Sequence, residues 1–317
     1  MPASSHFASF HFGTAHCLVY HIFCHIARKS IQCYNQMRMQ RFLYEMAGKG
    51  YKMLSGKKLF LFDIDGTIAV GDTLYEGSRE LLDYIERIGG KAYYITNNST
   101  KSGADYVKKF KDSFGLETTE EQFVTSGYMT IRFLKEHFAG KKIFVLGTAS
   151  FVKELKKNGL LVTEEPQEDI ACILVGYDSE LSYSKLIKAC QALSTTEAPF
   201  YATNPDLCCP YDFGFIPDCG AICDMLTAST GKVPQYLGKP AKEVCDICME
   251  QSGFSAEETL VVGDRLYTDI ACGINAGVET CVVYTGEATP EEVAASEYKP
   301  DYAYTDILAL YHALRKG

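Results

Sequence analysis

KKLFLFDIDGTIAVGD, residues 57–72, runs an apolar segment into two aspartates and then through a glycine. Its core, LFLF at residues 59–62, has the length and composition of a strand buried on both faces of a parallel sheet. Such sheets bind ligands at the carboxyl ends of their strands, where Asp63 and Asp65 stand. Residues two apart in a strand face the same way, so both carboxylates face one small volume if the extended conformation persists past Asp63. Two like charges that close require a cation or a proton. Two readings are open at this point. Either DIDGT is a polar strand exit built from common turn residues, or Asp63 is a nucleophile and Asp65 a general acid and base, with a metal between them and the amides after Gly66 holding an anion.

The segments beyond it repeat the same alternation. Residues 78–88 carry Leu81, Leu82, Ile85 and Ile88 at helical spacing and stop at Gly89 and Gly90. KAYYIT, residues 91–96, is a second strand that ends in TNNST, residues 96–100, offering hydroxyls, amides and a helix start. Unpaired amides and the positive dipole end at a helix start suit a phosphate, although Asn and Ser are equally favoured as plain caps. Helical patterns near residues 103–114 and 128–137 precede a strand at 143–147. ACILVG (171–176), a helix at 182–193 and a strand at 199–203 then form a second small α/β unit. Residues 204–220, NPDLCCPYDFGFIPDCG, are expected to be a long loop, and long loops in compact proteins are usually functional or disordered. A helix at 220–230 leads to VPQYLGKP, residues 233–240, with Lys239 between Gly238 and Pro240; by itself such a lysine reads as solvated surface. TLVVGDRLYTDIACGINAG, residues 259–277, repeats the opening arrangement, with Asp264 at a strand end and Asp269 five residues on. Thr280 to Val283 is a further apolar strand, and residues 306–315 a closing helix.

A chain of 317 residues implies two domains, or one with a large insertion. It has no apolar run near the length of a transmembrane helix, so no membrane association is expected. A net charge of −9 argues against a general nucleic-acid binder. Thirteen scattered cysteines fit a reducing, cytoplasmic setting. The one CxxC, Cys245 and Cys248, lies in a helical pattern without a second pair, so no structural zinc is expected. Residues 1–52 differ in composition: they hold six Lys or Arg against one acidic residue, and five of the seven histidines, His6, His11, His16, His21 and His25. With Cys17, Cys24 and Cys33 these invite a metal-binding reading, but the spacing matches no zinc pattern, and the stretch is a poor signal peptide. It reads as an extension outside the fold, since Met53 stands directly before the first strand.

Four strand ends therefore present Asp63 with Asp65, Thr96 with Asn97, Lys239, and Asp264 with Asp269. In a doubly wound parallel sheet these ends share one edge. Oxygen-only ligands select a hard divalent ion such as magnesium, and a lysine beside them supplies a point charge for a phosphate.

The order and residue types resemble the haloacid dehalogenase superfamily of phosphohydrolases, whose motifs are DxDGT, a strand ending in Thr or Ser, a Lys, and GDxxxTD. The 140 or so residues between TNNST and Lys239 are similar to the type IIA cap of that superfamily, and TNNS, ATNPD (202–206) and LGKP look like the group of NagD-like and nitrophenyl phosphatases. The resemblance covers roughly residues 55–317. It implies an α/β fold: a doubly wound, Rossmann-like parallel core in two parts, 53–139 and 233–317, with an inserted α/β cap at 140–232. It implies a magnesium-dependent phosphomonoesterase for a small phosphorylated metabolite, with Asp63 forming an aspartyl phosphate and Asp65 protonating the leaving oxygen. Magnesium would be held by the carboxylates of Asp63 and Asp264 and the backbone carbonyl of Asp65. Thr96, Asn97, Asn98 and Lys239 would bind phosphoryl oxygens, and Asp269 would act behind them on metal-bound waters or Lys239. The chain departs from the family at PDCG, residues 217–220, where Asp218 replaces the usual Gly. Cap-mediated homodimers occur among such proteins. A phosphotransferase or mutase would use the same intermediate, whereas a phosphorylatable receiver-type switch would need neither Asp65 nor a cap of this size.

Overall fold

The computed structural model describes residues 54–316 apart from residue 212. The expectations for residues 1–52 lie outside the described residues. In chain order the strands are β1 (Leu59–Phe62), β2 (Ala69–Val70), β3 (Thr73–Leu74), β4 (Lys91–Thr96), β5 (Phe123–Thr125), β6 (Lys142–Leu146), β7 (Leu161–Thr163), β8 (Ile170–Val175), β9 (Phe200–Ala202), β10 (Cys208–Tyr211), β11 (Gly214–Pro217), β12 (Gln235–Tyr236), β13 (Thr259–Gly263), β14 (Glu279–Val283) and β15 (Tyr302–Tyr304).

Two parallel sheets carry the α/β architecture. The first has the order β15-β14-β13-β1-β4-β5, so β1 is central. The reason lies in its four apolar residues, which alternate between two cores. Phe60 and Phe62 pack with Leu81, Ile85 and Leu310 on one face, and Leu59 and Leu61 with Val244, Ile247 and Cys248 on the other. Each such side chain, fully removed from water, contributes about 1.5–3 kcal/mol, which a strand at a sheet edge would forgo. From β1 the chain winds outward through β4 to β5 and later returns on the opposite side at β13, pairing Leu59 with both Lys91 and Thr259. The carboxyl end of β1 is thus the point where the winding reverses, the usual place for a ligand in an open α/β sheet.

The second sheet has the order β12-β9-β8-β6-β7. Its strands alternate in the same way, with Phe144 and Leu146 in one core and Ile143 and Val145 in the other. This is the second α/β unit expected from sequence. Its last strand, β12, pairs with β9 from Gln235 to Tyr236, so the hydrogen-bonded sheet runs past the boundary at residue 232 that the family resemblance implied.

One expectation needs correcting. Residues 204–220 are not one irregular loop: β10 and β11 form an antiparallel ribbon in register from Cys208↔Pro217 to Tyr211↔Gly214. Proline and glycine suggested a loop, but a two-stranded ribbon has only edges, where proline costs no ladder hydrogen bond. Asp218, the departure from the family pattern, caps the helix Cys219–Thr230: it is extended, and its carboxylate accepts the Cys219 amide at 2.5 Å.

Candidate active site

β1 delivers Asp63 on the ladder, its amide donating to the Val262 carbonyl at 2.9 Å. The extended conformation does not persist beyond it. Gly66 takes φ +99 and donates to the Ala69 carbonyl at 2.9 Å, while the amides of Ile68 and Ala69 turn back onto the Ile64 carbonyl. The two aspartates consequently part. The Asp63 side chain is 13% exposed and that of Asp65 is 44% exposed, with Lys109 Nζ 3.9 Å from its Oδ1.

The carboxylates that do converge are Asp63, Asp264 and Asp269, whose facing oxygens all lie within 4.8 Å of one another. Asp269 therefore takes the place in the cluster that simple strand alternation would have given the Asp65 carboxylate. It is carried there by a wide helical turn, Leu266–Ile270, in which the Ile270 amide reaches back five residues to the Arg265 carbonyl. Such turns reposition one side chain and often mark functional sites. Glycines make the room. A Cβ on Gly66 would lie 2.7 Å from Asp264 Oδ2, one on Gly286 1.9 Å from the same atom, and one on Gly263 2.2 Å from Asp269 Cβ. Asp264 is further held by the Glu287 amide at 2.8 Å and the Thr67 hydroxyl at 3.3 Å.

Lys239 is 3% exposed and lies among these acids. Its ammonium donates to Asp63 Oδ1 at 2.7 Å, to Asp269 Oδ1 at 2.5 Å and to the Ile95 carbonyl at 3.0 Å. Burial disfavours the ammonium, but Asp269 and Asp63 outweigh it and hold the lysine charged well above its ordinary range. Burial pushes the Asp63 carboxyl well up; Lys239 pulls it back, and Asp269 and Asp264 push it further. Asp264 is pushed up to about 6, by burial first and then by Asp269. Two buried carboxylates and the partly buried Asp63 thus face one ammonium. That surplus of anionic oxygen, with no nitrogen or sulfur donor, fits a hard divalent cation.

The second strand end is organised differently from its reading as a phosphate cradle. Thr96 and Asn97 are buried, and the Thr96 hydroxyl accepts the Asn98 amide at 3.2 Å, leaving its own proton to donate. Asn97 turns its carboxamide away, donating to Asp206 Oδ2 at 2.8 Å and the Lys239 carbonyl at 3.0 Å. Asn98 folds onto Thr100, accepting its amide at 2.9 Å and its hydroxyl at 2.7 Å, and the next helix begins only at Gly103, capped by Ser102.

Sequence reasoning left several residues here without a role. Asp206, at the entrance to the ribbon β10–β11, is 2% exposed and joins the two sheets. It accepts from Asn97, from Asn204 Nδ2 at 2.9 Å and from Arg265 Nη1 at 2.7 Å. Arg265 also has Glu287 Oε2 2.9 Å from its Nε, and its backbone amide donates to Asp269 Oδ2 at 3.1 Å. Asp206 and Arg265 stand inside ATNPD and GDRLYTD and were legible as motif members, but their pairing was not; Gly286 and Glu287 carry no signal of their own. Cys245 and Cys248 lie on the helix Glu243–Ser252, with Cys245 Sγ 3.5 Å from Cys272 Sγ, and all ten described cysteines are free.

The comparisons with known proteins bear on the family and the fold. Residues 60–161 match a family model described as haloacid dehalogenase-like hydrolase, and residues 236–310 match one described as HAD-hydrolase-like. The acid sugar phosphatase of Staphylococcus haemolyticus is 32% identical over 260 residues, which are 82% of this chain and 97% of that protein. The crystal structure of 4-nitrophenylphosphatase from Thermotoga maritima superposes with a TM-score of 0.76 at 36% identity, covering 83% of this chain and all of that one. A glycerol phosphate phosphatase from Mycobacterium tuberculosis, solved in complex with magnesium, has a TM-score of 0.73 at 26% identity, covering 81% of this chain and 77% of that one.

Proposed function

This chain belongs to the haloacid dehalogenase-like hydrolases, and on that footing we propose that it is a magnesium-dependent phosphomonoesterase of the cytoplasm, acting on a small phosphorylated metabolite such as a sugar phosphate. The observation that carries the reading is the cluster of Asp63, Asp264 and Asp269 around Lys239 at the carboxyl end of β1. Among the described residues no helix is long and apolar enough to cross a membrane.

Asp63, at the carboxyl end of β1, bonds through a carboxylate oxygen to phosphorus as the ester oxygen leaves, giving an aspartyl phosphate. Asp65, outside the acid cluster and more open to solvent, gives its proton to that leaving oxygen. It then takes a proton from the water that attacks the phosphoenzyme and returns Asp63 as a carboxylate. Lys239 and the Thr96 hydroxyl bind phosphoryl oxygens, and Asp269 holds Lys239 in line. Asp63 and Asp264 are the carboxylates that would hold magnesium, with Asp269 beside them; when bound, the ion supplies the charge that lets an anionic nucleophile approach an anionic phosphate. The β6–β9 sheet and the β10–β11 ribbon act as the cap that receives the rest of the substrate.

The test is phosphate release from nitrophenyl phosphate by the purified protein, with and without magnesium. Turnover should require the ion, and Asp63→Asn should abolish it; a normal rate in that variant would sink the mechanism.

A further inference from the structure

Asn97 follows directly on β4 and is buried, as are Asp206 and Lys239. Its carboxamide nitrogen donates twice, to Asp206 Oδ2 at 2.8 Å and to the Lys239 carbonyl at 3.0 Å. The opposite orientation would set the amide oxygen against a carboxylate and a carbonyl, acceptors with no proton among them, so these two partners dictate the pose. The cost falls on Oδ1, which accepts nothing and faces Gly238, where a Cβ would lie 2.6 Å from it. A buried acceptor without a donor is unfavourable, and it is tolerated here for the sake of the two bonds on the other side.

Lys239 is the residue at which the chain passes from one sheet to the other. Up to Gly238 the backbone belongs to the β12–β9 sheet, the amides of Leu237 and Gly238 donating to the Ala202 and Thr203 carbonyls at 2.9 and 2.8 Å. At Lys239 the partners change: its carbonyl is taken by Asn97, and its ammonium reaches the Ile95 carbonyl at 3.0 Å. The end of β4 therefore grips the lysine at both ends of a flexible stem. The grip is itself anchored, since the Ser126 hydroxyl donates to the Asn97 carbonyl at 2.7 Å.

We propose that the Asn97 carboxamide is a positioning group for Lys239: it fixes the backbone from which the ammonium reaches Asp63 and Asp269, and through Asp206 it ties that backbone to the β10–β11 ribbon. The inference rests on the phosphatase reading for what Lys239 binds. A lysine held at both ends has little freedom left to lose when a phosphate arrives.

Asn97→Ala removes the carboxamide and keeps the backbone amide. Asn204→Ala is the control, because it removes another donor to the same Asp206 oxygen, at 2.9 Å, and leaves the Lys239 carbonyl bonded. Both variants should melt at a lower temperature than the wild type, each having lost a buried hydrogen bond. With magnesium present, Asn97→Ala alone should lower kcat/KM for nitrophenyl phosphate and raise the inhibition constant for inorganic phosphate, each about 10- to 100-fold. Wild-type constants in Asn97→Ala would overturn the proposal, and so would equal losses in the two variants, which would trace the effect to Asp206. Calorimetric binding of inorganic phosphate separates this inference from the phosphatase reading. A wild type that hydrolyses nothing yet binds phosphate more tightly than Asn97→Ala defeats that reading alone, whereas equal binding defeats the role of Asn97. A crystal structure of Asn97→Ala needs no turnover: the Lys239 ammonium should lose at least one of its contacts to Asp63, Asp269 and Ile95, and all three unchanged would overturn the proposal.

Discussion

Replacing Asp206 by alanine removes the buried carboxylate that serves Asn97, Asn204 and Arg265 at once. The Arg265 guanidinium keeps Glu287 as a neighbour at 2.9 Å, so it is not stripped of all countercharge. The two amides each lose one acceptor, Asn97 keeping the Lys239 carbonyl at 3.0 Å and Asn204 keeping Asp218 Oδ1 at 3.2 Å. Breaking a buried ion pair from one side costs roughly 3–5 kcal/mol, and the remaining glutamate places this case near about 3. For a folded unit of this size that corresponds to a melting temperature lower by about 6–12 °C. A double-mutant cycle with Arg265→Ala isolates the pair, because the Arg265 backbone amide that holds Asp269 survives both substitutions; a coupling of about 2 kcal/mol is expected. Asp206 stands on the cap side and Asn97 follows Thr96, to which a phosphoryl contact is proposed, so kcat/KM for nitrophenyl phosphate should fall as well, with Asp63 untouched. Thermal unfolding and steady-state kinetics on the four proteins decide the matter. A melting shift under about 2 °C together with a coupling near zero would refute the claim that Asp206 ties the cap to the catalytic sheet.

Gly286→Ala should weaken magnesium roughly 10- to 100-fold, because its methyl would fall 1.9 Å from Asp264 Oδ2 and displace that carboxylate. The readout is the magnesium-dependent rise in melting temperature, about 2.7 kcal/mol of stabilisation in the wild type at a hundredfold excess over Kd; an unmoved titration midpoint would show that the glycine cradle is incidental. Asp65→Asn should slow phosphoenzyme formation about 10²- to 10⁴-fold with alkyl phosphates and much less with nitrophenyl phosphate, whose leaving group needs little protonation. Single-turnover rates on the two substrates check this, and equal losses would count against the acid role.

Much of this was legible in the linear sequence because the governing interactions are local. An apolar run of four to six residues ending in an acid or hydroxyl is a buried parallel strand with a polar terminus, and this pattern located β1, β4 and β13 and the residues at their ends. The chemical character of the site, hard oxygen donors with a single lysine, followed from residue types alone. The ribbon at residues 208–217 was missed because proline and glycine lower strand propensity wherever they stand, and only pairing across the turn reveals that a ribbon of edges tolerates them.

The convergence of groups was decided by tertiary structure. Asp63 and Asp65 are two residues apart yet separate, since the chain turns directly after Asp63, with the Ile68 and Ala69 amides folded back onto the Ile64 carbonyl and Gly66 at positive φ, which leaves only Asp63 in the carboxylate cluster. Asp269 joins Asp63 only through the wide turn at Leu266–Ile270, and Lys239 reaches Asp63 across 176 residues. Asp206 and Arg265, 59 residues apart, meet because two separate sheets pack together. Strand periodicity dictates which residues stand at the sheet edge. Which of them touch depends on backbone turns and packing that no local pattern encodes.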